Sequence, residues 1–184
     1  MAGERFGEME ARQVGKVFGS ETDPKVVLEE CSFVVKRGKL NVLIGPSGCG
    51  KTTIINLLAG YERPTLGEIR LDGEPVRGPG WSRLVVFQET ALFPWMTVLD
   101  NVTFGPTVRG SMRREEARRE AHRLLEKVGL RDFGDKYPIQ LSGGMQRRAE
   151  LARAMINDPK VMLMDEPFSG LDALTRGLMQ EYYL

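Results

Sequence analysis

Hydrophobic positions along this chain fall into short runs and alternations before any helical period appears. Residues 26–35, VVLEECSFVV, alternate so that Cys31, Phe33 and Val35 share one face, which predicts a strand, and KRG then turns the chain. LNVLI (40–44) is a short apolar run, read as a strand that enters a Gly-rich loop, and IINLLAG (54–60) reads as the helix leaving it. EIRLDGEPV (68–76) alternates around Asp-Gly, the pattern of a small hairpin, and RLVVF (83–87) predicts another buried strand.

The pattern changes after residue 88. Residues 89–140 carry Pro94, Pro106 and Pro138 and one long helix, about 111–128. Its Ala117, Ala121, Leu124, Leu125 and Val128 recur at helical spacing, and Gly129 follows as a C-terminal cap. Strand character returns only at VMLMD (161–165). The expectation is one α/β domain in three stretches: a β and loop core (1–88), a mostly helical insert (89–148), and a last strand with its loop (149–184).

Composition narrows the function classes. With Lys+Arg 26 against Asp+Glu 25 and a net charge of +1, no overall field recruits nucleic acid or anionic lipid. The longest apolar runs are a few residues, too short for a membrane-spanning helix, and MAGERFGEMEARQ lacks the apolar core of a secretory leader. Two cysteines, Cys31 and Cys49, make neither a disulfide framework nor a metal-ligand spacing, which fits a reducing cytoplasm. Cys31 reads as a core residue and Cys49 as a small residue at a free loop position. The single histidine, His122, falls off the apolar stripe of its helix and is expected to face solvent.

Three segments carry chemistry. GPSGCGKTT (45–53) matches G-x-x-x-x-G-K-[ST] between a strand and a helix. Gly45, Gly48 and Gly50 let the backbone wrap a polyphosphate so that successive N–H groups converge on it, and the following helix adds its positive end. Lys51 is expected to reach the β- and γ-phosphates, Thr52 to ligand Mg²⁺ through its hydroxyl, and Thr53 to add a phosphate contact. The nucleotide-binding stretch thus runs through Gly45, Pro46, Ser47, Gly48, Cys49, Gly50, Lys51, Thr52 and Thr53. VMLMDE (161–166) places two acids at the end of a buried strand: Asp165 is assigned to the metal and Glu166 to the base that takes a proton from an attacking water. In LSGGMQRRAELARA (141–154), Ser142 is a good N-cap, and Gly143 and Gly144 leave the helix N–H groups bare. That turn is a second anion site with no second phosphate loop, which implies that it serves the nucleotide of another copy.

Taken together, the phosphate loop, Gln88 in VFQE, LSGGMQ, VMLMDEP and SGLD (169–172) resemble the ATP-binding subunit of an ABC transporter, over nearly all of residues 10–184. The resemblance implies a P-loop NTPase core of ABC type with an N-terminal antiparallel β subdomain and an inserted helical subdomain. It further implies a homodimer that sandwiches two ATP–Mg²⁺ between the phosphate loop of one copy and Leu141, Ser142, Gly143, Gly144 and Gln146 of the other. Gln88 would sense Mg²⁺ and the attacking water, Asp172 would cross the dimer interface, and Phe18 would stack on adenine. Leu92, Phe93, Trp95 and Met96, an apolar cluster expected to be exposed, would receive a transmembrane permease subunit, with a substrate-binding protein acting indirectly. Nucleic acid is not an expected partner. The wording of LFPWMTVLDNV and DEPFSGLDALTR is most similar to importers of nitrate, sulfonate or taurine, peripheral on the cytoplasmic face of the membrane.

Members of that family continue about 60 to 80 residues past this point, within ordinary single-domain length. They carry there a further core strand and a switch histidine, which His122 is not. The sequence-based expectation is therefore a truncated subunit, lacking its last core strands and severely impaired in hydrolysis. Two other readings stay open: a subunit that binds ATP without turnover, and a soluble ABC-type ATPase unconnected with transport.

Overall fold

Asp-Gly at 72–73 makes the sharpest local decision in the chain. Asp72 (φ 50°) and Gly73 (φ 83°) both adopt the left-handed conformation that a two-residue hairpin needs, and Asx-Gly supplies it at little cost. In this computed structural model, which describes residues 6–165 and Gly177, the turn joins β3 (Leu66–Leu71) to β4 (Glu74–Pro75). β1 (Met9–Ser20) pairs antiparallel with both β2 (Asp23–Val35) and β3, so the sheet runs β2-β1-β3-β4. Cys31, Phe33 and Val35 do share one face, half-buried against the core, as alternation requires.

The chain divides into two compact units. The first runs to Val85 and takes in residues 160–165. Besides the antiparallel sheet it holds α1 (Lys51–Ala59), most of β5 (Arg83–Val86) and β6 (Val161–Met164); β5 and β6 form a two-stranded sheet. Its core is Met9, Val14, Leu57, Leu58, Ile69, Leu71, Val85, Val161 and Leu163.

Asp72 is also the tie point of this unit. Its carboxylate accepts from Lys160 Nζ (2.8 Å), Arg37 (2.7 Å) and the Glu8 amide (3.0 Å), joining β1, the end of β2 and the entry to β6. The Lys160 hydrogen bond, then that of the Glu8 amide, hold the Asp72 carboxyl below the usual carboxylate range. A depressed carboxyl contributes stability that is complete above its unfolded value and disappears as pH falls through the folded one, here below about pH 4. Asp72→Asn keeps the turn conformation but loses both ion pairs. With the side chain 23% exposed, the expected cost at pH 7 is about 1 kcal/mol, and the two proteins should converge in thermal stability as acid protonates the depressed carboxyl.

The second unit, residues 86–159, is helical. α2 (Val98–Val108), α3 (Arg114–Lys127) and α4 (Gly143–Met155) enclose Leu92, Val98, Leu99, Val102, Ala121, Leu124, Leu125, Leu130, Leu141, Ala149 and Ala152. α3 buries the predicted Ala117, Ala121, Leu124 and Leu125 stripe, Gly129 (φ 67°) follows its C-cap, and His122 is exposed.

Three expectations need correction. Residues 40–44 are not a strand: Leu40, Val42, Leu43 and Ile44 are exposed, and no described strand hydrogen-bonds to them, so the apolar run has no ladder to join. The insert has α2 as well as α3; Thr97 caps α2 by accepting from the Asp100 amide (3.1 Å), and the helix runs through Pro106. Leu92 is 9% exposed and belongs to the helical core, so it is no part of an open apolar surface.

Candidate functional site

The loop before α1 is shaped by glycine. Gly48 (φ 78°) and Gly50 (φ 96°) are both left-handed, and Gly50 also has no room. A Cβ there would lie 2.8 Å from Leu28 Cδ2 and 3.3 Å from the Val27 carbonyl oxygen. The approach is made by an irregularity in β2. Lys16 pairs with Leu28 and Val17 with Val26, so Val27 is an extra residue, and its bulge brings the β1–β2 ribbon against the loop.

Gly50 is the N-cap of α1 and supplies no side-chain cap, whereas Thr97 and Ser142 cap α2 and α4 with their hydroxyls. The positive end of α1 is thus presented by a loop whose Pro46, Ser47, Gly48 and Cys49 are exposed, the arrangement that suits an anion. Gly45 packs under Cys49: a Cβ on it would meet Sγ at 2.6 Å. Lys51 Nζ donates to the carbonyls of Gly45 (2.9 Å) and Pro46 (2.8 Å), which holds its ammonium across the loop. Thr53 lies half-buried in the first turn of α1.

Thr52 and Asp165, far apart in sequence, come together: Thr52 Oγ1 donates to Asp165 Oδ2 at 2.9 Å. A hydroxyl and a carboxylate are hard oxygen donors, the set that Mg²⁺ takes alongside water and phosphate oxygens. Two such donors leave most of an octahedral shell to water and phosphate oxygens, so Thr52 and Asp165 fit a nucleotide-borne Mg²⁺. The ion would supply charge neutralisation of the phosphates. Glu166 and Asp172 lie outside the described residues.

Phe18, 37% exposed, sits two residues along β1 from Lys16, whose Nζ lies 4.6 Å from the ring centroid. Sequence reasoning passed over Lys16. Its neighbour at i+2 on a strand was the available signal, because alternation puts both side chains on one face.

In the helical unit, Ser142 accepts from the Met145 amide (3.3 Å), so α4 starts at Gly143, with Ser142 and Gly143 exposed, Gly144 half-buried and Leu141 buried. Gln146 Nε2 donates to the carbonyls of Pro138 (2.9 Å) and Leu141 (3.3 Å), fixing the chain that enters the turn. Gln88 is exposed, and its flanks are bound to α4: Arg147 donates to the Phe87 carbonyl, Thr90 Oγ1 to Gln146 Oε1 (3.1 Å), and the Ala91 amide to Glu150 Oε1 (3.3 Å). Arg147 and Glu150 are themselves paired at 2.8 Å, 5% and 2% exposed. Burial pushes the Glu150 carboxyl up, opposed by Arg147, and burial pulls Arg153 down. The sequence gives no sign of this pair beyond an i, i+3 spacing on α4.

The apolar loop is organised by Asn101, which is fully buried. Its side chain accepts from the Phe93 amide (2.8 Å) and donates to the carbonyls of Phe93, Met96 and Thr97 (3.0–3.2 Å). Every polar atom of the amide is used, and the loop is held rigid. Phe93 packs edge-on to Phe104 (5.0 Å) and beside Trp95 (5.5 Å); Met96 is half-buried, while Trp95 remains 69% exposed.

Known proteins share this fold. Residues 28–169 match the family model described as ABC transporter. The chain is 44% identical over 177 residues to an uncharacterized ABC transporter ATP-binding protein of Methanocaldococcus jannaschii, covering 96% of this chain and 66% of that protein. It is 50% identical over 157 residues to the taurine import ATP-binding protein TauB of Roseobacter denitrificans, covering 85% of this chain and 58% of that protein. The chain therefore spans less than two thirds of the length of these relatives. Among solved structures it resembles the dimeric post-hydrolysis state of the ATP-binding cassette MJ0796 bound to ADP and Pi, with TM-score 0.81 and 31% identity, covering 94% of this chain and 80% of that one. The match over residues 28–169, together with a phosphate loop whose Thr52 meets Asp165, places this chain in the ABC transporter family as an ATP-binding domain.

Proposed function

We propose that this chain is the nucleotide-binding part of an importer's energy-coupling subunit, working on the cytoplasmic face of the membrane. Two copies would pair and close on two ATP–Mg²⁺. The observation that carries this reading is the Thr52–Asp165 contact at 2.9 Å beside Lys51, a phosphate and metal site built from two distant segments. Gly45 to Thr53 hold the triphosphate and Thr52 with Asp165 the Mg²⁺, while Gln88 and Glu166 keep the roles the family resemblance implies, a sensor of the ion and water and the acceptor of the water's proton. Leu141, Ser142, Gly143, Gly144 and Gln146 form the turn that closes on the other copy's nucleotide, and Asp172 lies at the pairing surface. Similarity to taurine import proteins supports a small sulfonate-like cargo, selected by a permease and its binding protein. The permease surface is read as Phe93, Trp95 and Met96, without the buried Leu92.

Pairing is the property to test. With Glu166→Gln to suppress turnover, ATP should shift the chain from monomer to dimer in light scattering. Ser142→Arg should weaken that pairing by at least about tenfold, since it puts bulk and charge where an anion must dock, while leaving ATP binding to the monomer unchanged. ATP-driven pairing that ignores Ser142→Arg would overturn the reading.

A further inference from the structure

Lys16 is a buried cation whose role nothing in the phosphate chemistry explains. The residue is 9% exposed, and its Nζ is held from three directions: Glu62 Oε2 at 2.8 Å, the Arg63 carbonyl at 2.9 Å, and the face of Phe18 at 4.6 Å. Glu62 and Arg63 are not incidental neighbours. They follow Gly60, the left-handed cap of α1, and the Tyr61 amide donates back to the Asn56 carbonyl (2.9 Å). The same segment is stapled to β1 again, by the Thr65 amide on the Gly15 carbonyl (2.8 Å) and the Val17 amide on Thr65 Oγ1 (3.1 Å).

A closed circuit results. It runs from the phosphate loop through α1 to Glu62 and Arg63, across to Lys16, and on to Phe18. It closes where Leu28, the strand partner of Lys16, touches Gly50. Phe18 lies two residues from Lys16, about 7 Å along the strand. The β1–β2 ribbon that carries Phe18 is the one that meets the loop at Gly50, which suits the ring to the base of a nucleotide whose phosphates occupy the loop. An ammonium on one face draws on the π electrons of the ring, and a face so depleted stacks more strongly on an electron-rich purine.

We infer that Lys16 is the positioning residue for base recognition: anchored by Glu62 and the Arg63 carbonyl, it fixes the Phe18 ring relative to the phosphate loop. This rests on Phe18 being the base platform. The ion pair is not needed to hold the sheet, because the Thr65 staples already join the same two segments.

The test compares ATP with inorganic tripolyphosphate, which has the phosphates and no base, by calorimetry on the whole chain. Lys16→Met keeps the stem of the side chain and removes its charge. It should weaken ATP binding about tenfold and leave tripolyphosphate binding unchanged; Phe18→Ala should do the same, and the double variant no more than either single one. Glu62→Gln, which loosens the anchor without burying a new apolar group, should show a smaller loss of the same selectivity and decides the matter if Lys16→Met does not fold. If Phe18→Ala fails to separate the two ligands, Phe18 is not the platform and the inference falls with it. If Phe18→Ala separates them while Lys16→Met and Glu62→Gln do not, Phe18 keeps its role and Lys16 is merely structural.

Discussion

Lys51→Ala is expected to lower ATP affinity about a hundredfold while leaving thermal stability within about 0.5 kcal/mol. Two charge-assisted hydrogen bonds to phosphate oxygens contribute roughly 3–6 kcal/mol in total. Part of that is offset, because Lys51 gives up the Gly45 and Pro46 carbonyls (2.9 and 2.8 Å) to make them. A net near 3 kcal/mol corresponds to the stated hundredfold. Stability barely changes because the same two carbonyls lie in a largely exposed loop where water replaces the ammonium. Lys51→Arg should not restore binding: the loop closes round a compact ammonium, and a wider planar guanidinium cannot take its place against the phosphates. Calorimetric titration of ATP against each variant, beside a melting curve, checks both halves. An affinity within threefold of the parent would show that the triphosphate does not lie in this loop.

Chemistry that is local in sequence was legible; packing that depends on distant partners was not. The phosphate loop could be read because each glycine answers a backbone requirement fixed within a few residues, as the positive φ of Gly48 and Gly50 bears out. The space constraint on Gly50 could not, since it comes from a bulge at Val27 in another strand. Thr52, from the phosphate-loop motif, and Asp165, from the acid at a strand end, are each read as metal ligands, and the structure sets their oxygens 2.9 Å apart. α2 was missed because Gly105 and Pro106 signal a break. Pro106 lacks the N–H that would donate to the Val102 carbonyl, yet buried Val98, Leu99 and Val102 hold the helix together through that gap. The readable sign was Thr97 with Asp100 three residues on, a cap whose hydroxyl accepts from the Asp100 amide. Residues 40–44 show the limit of reading an apolar run: without a paired neighbour it is neither strand nor buried, and Leu40, Val42, Leu43 and Ile44 stay exposed.

Glu150→Ala should be the most destabilising single change outside the core, costing about 3–5 kcal/mol. It leaves Arg147, 6% exposed at its side chain, with the Phe87 carbonyl but without the carboxylate that balances its charge, and it strips the Ala91 amide of its acceptor. At about 2–4 °C per kcal/mol for a chain of this size, the melting temperature should fall by roughly 10 °C. The loss would not measure what the pair contributes. Burial already pushes the Glu150 carboxyl up, so much of the gain from Arg147 offsets desolvation. Arg147→Met with Glu150→Leu removes both charges and fills the same space, and it should recover more than half of the lost stability. Recovery should stop short of complete, because the Phe87 carbonyl and the Ala91 amide still lack the partners that held the segment carrying Gln88 to α4. Hydrogen exchange separates the two effects: in the double variant α4 should regain its protection while the Ala91 amide exchanges fast. Equal protection at both would mean that packing alone fixes the Gln88 segment, and that the buried pair is dispensable to it.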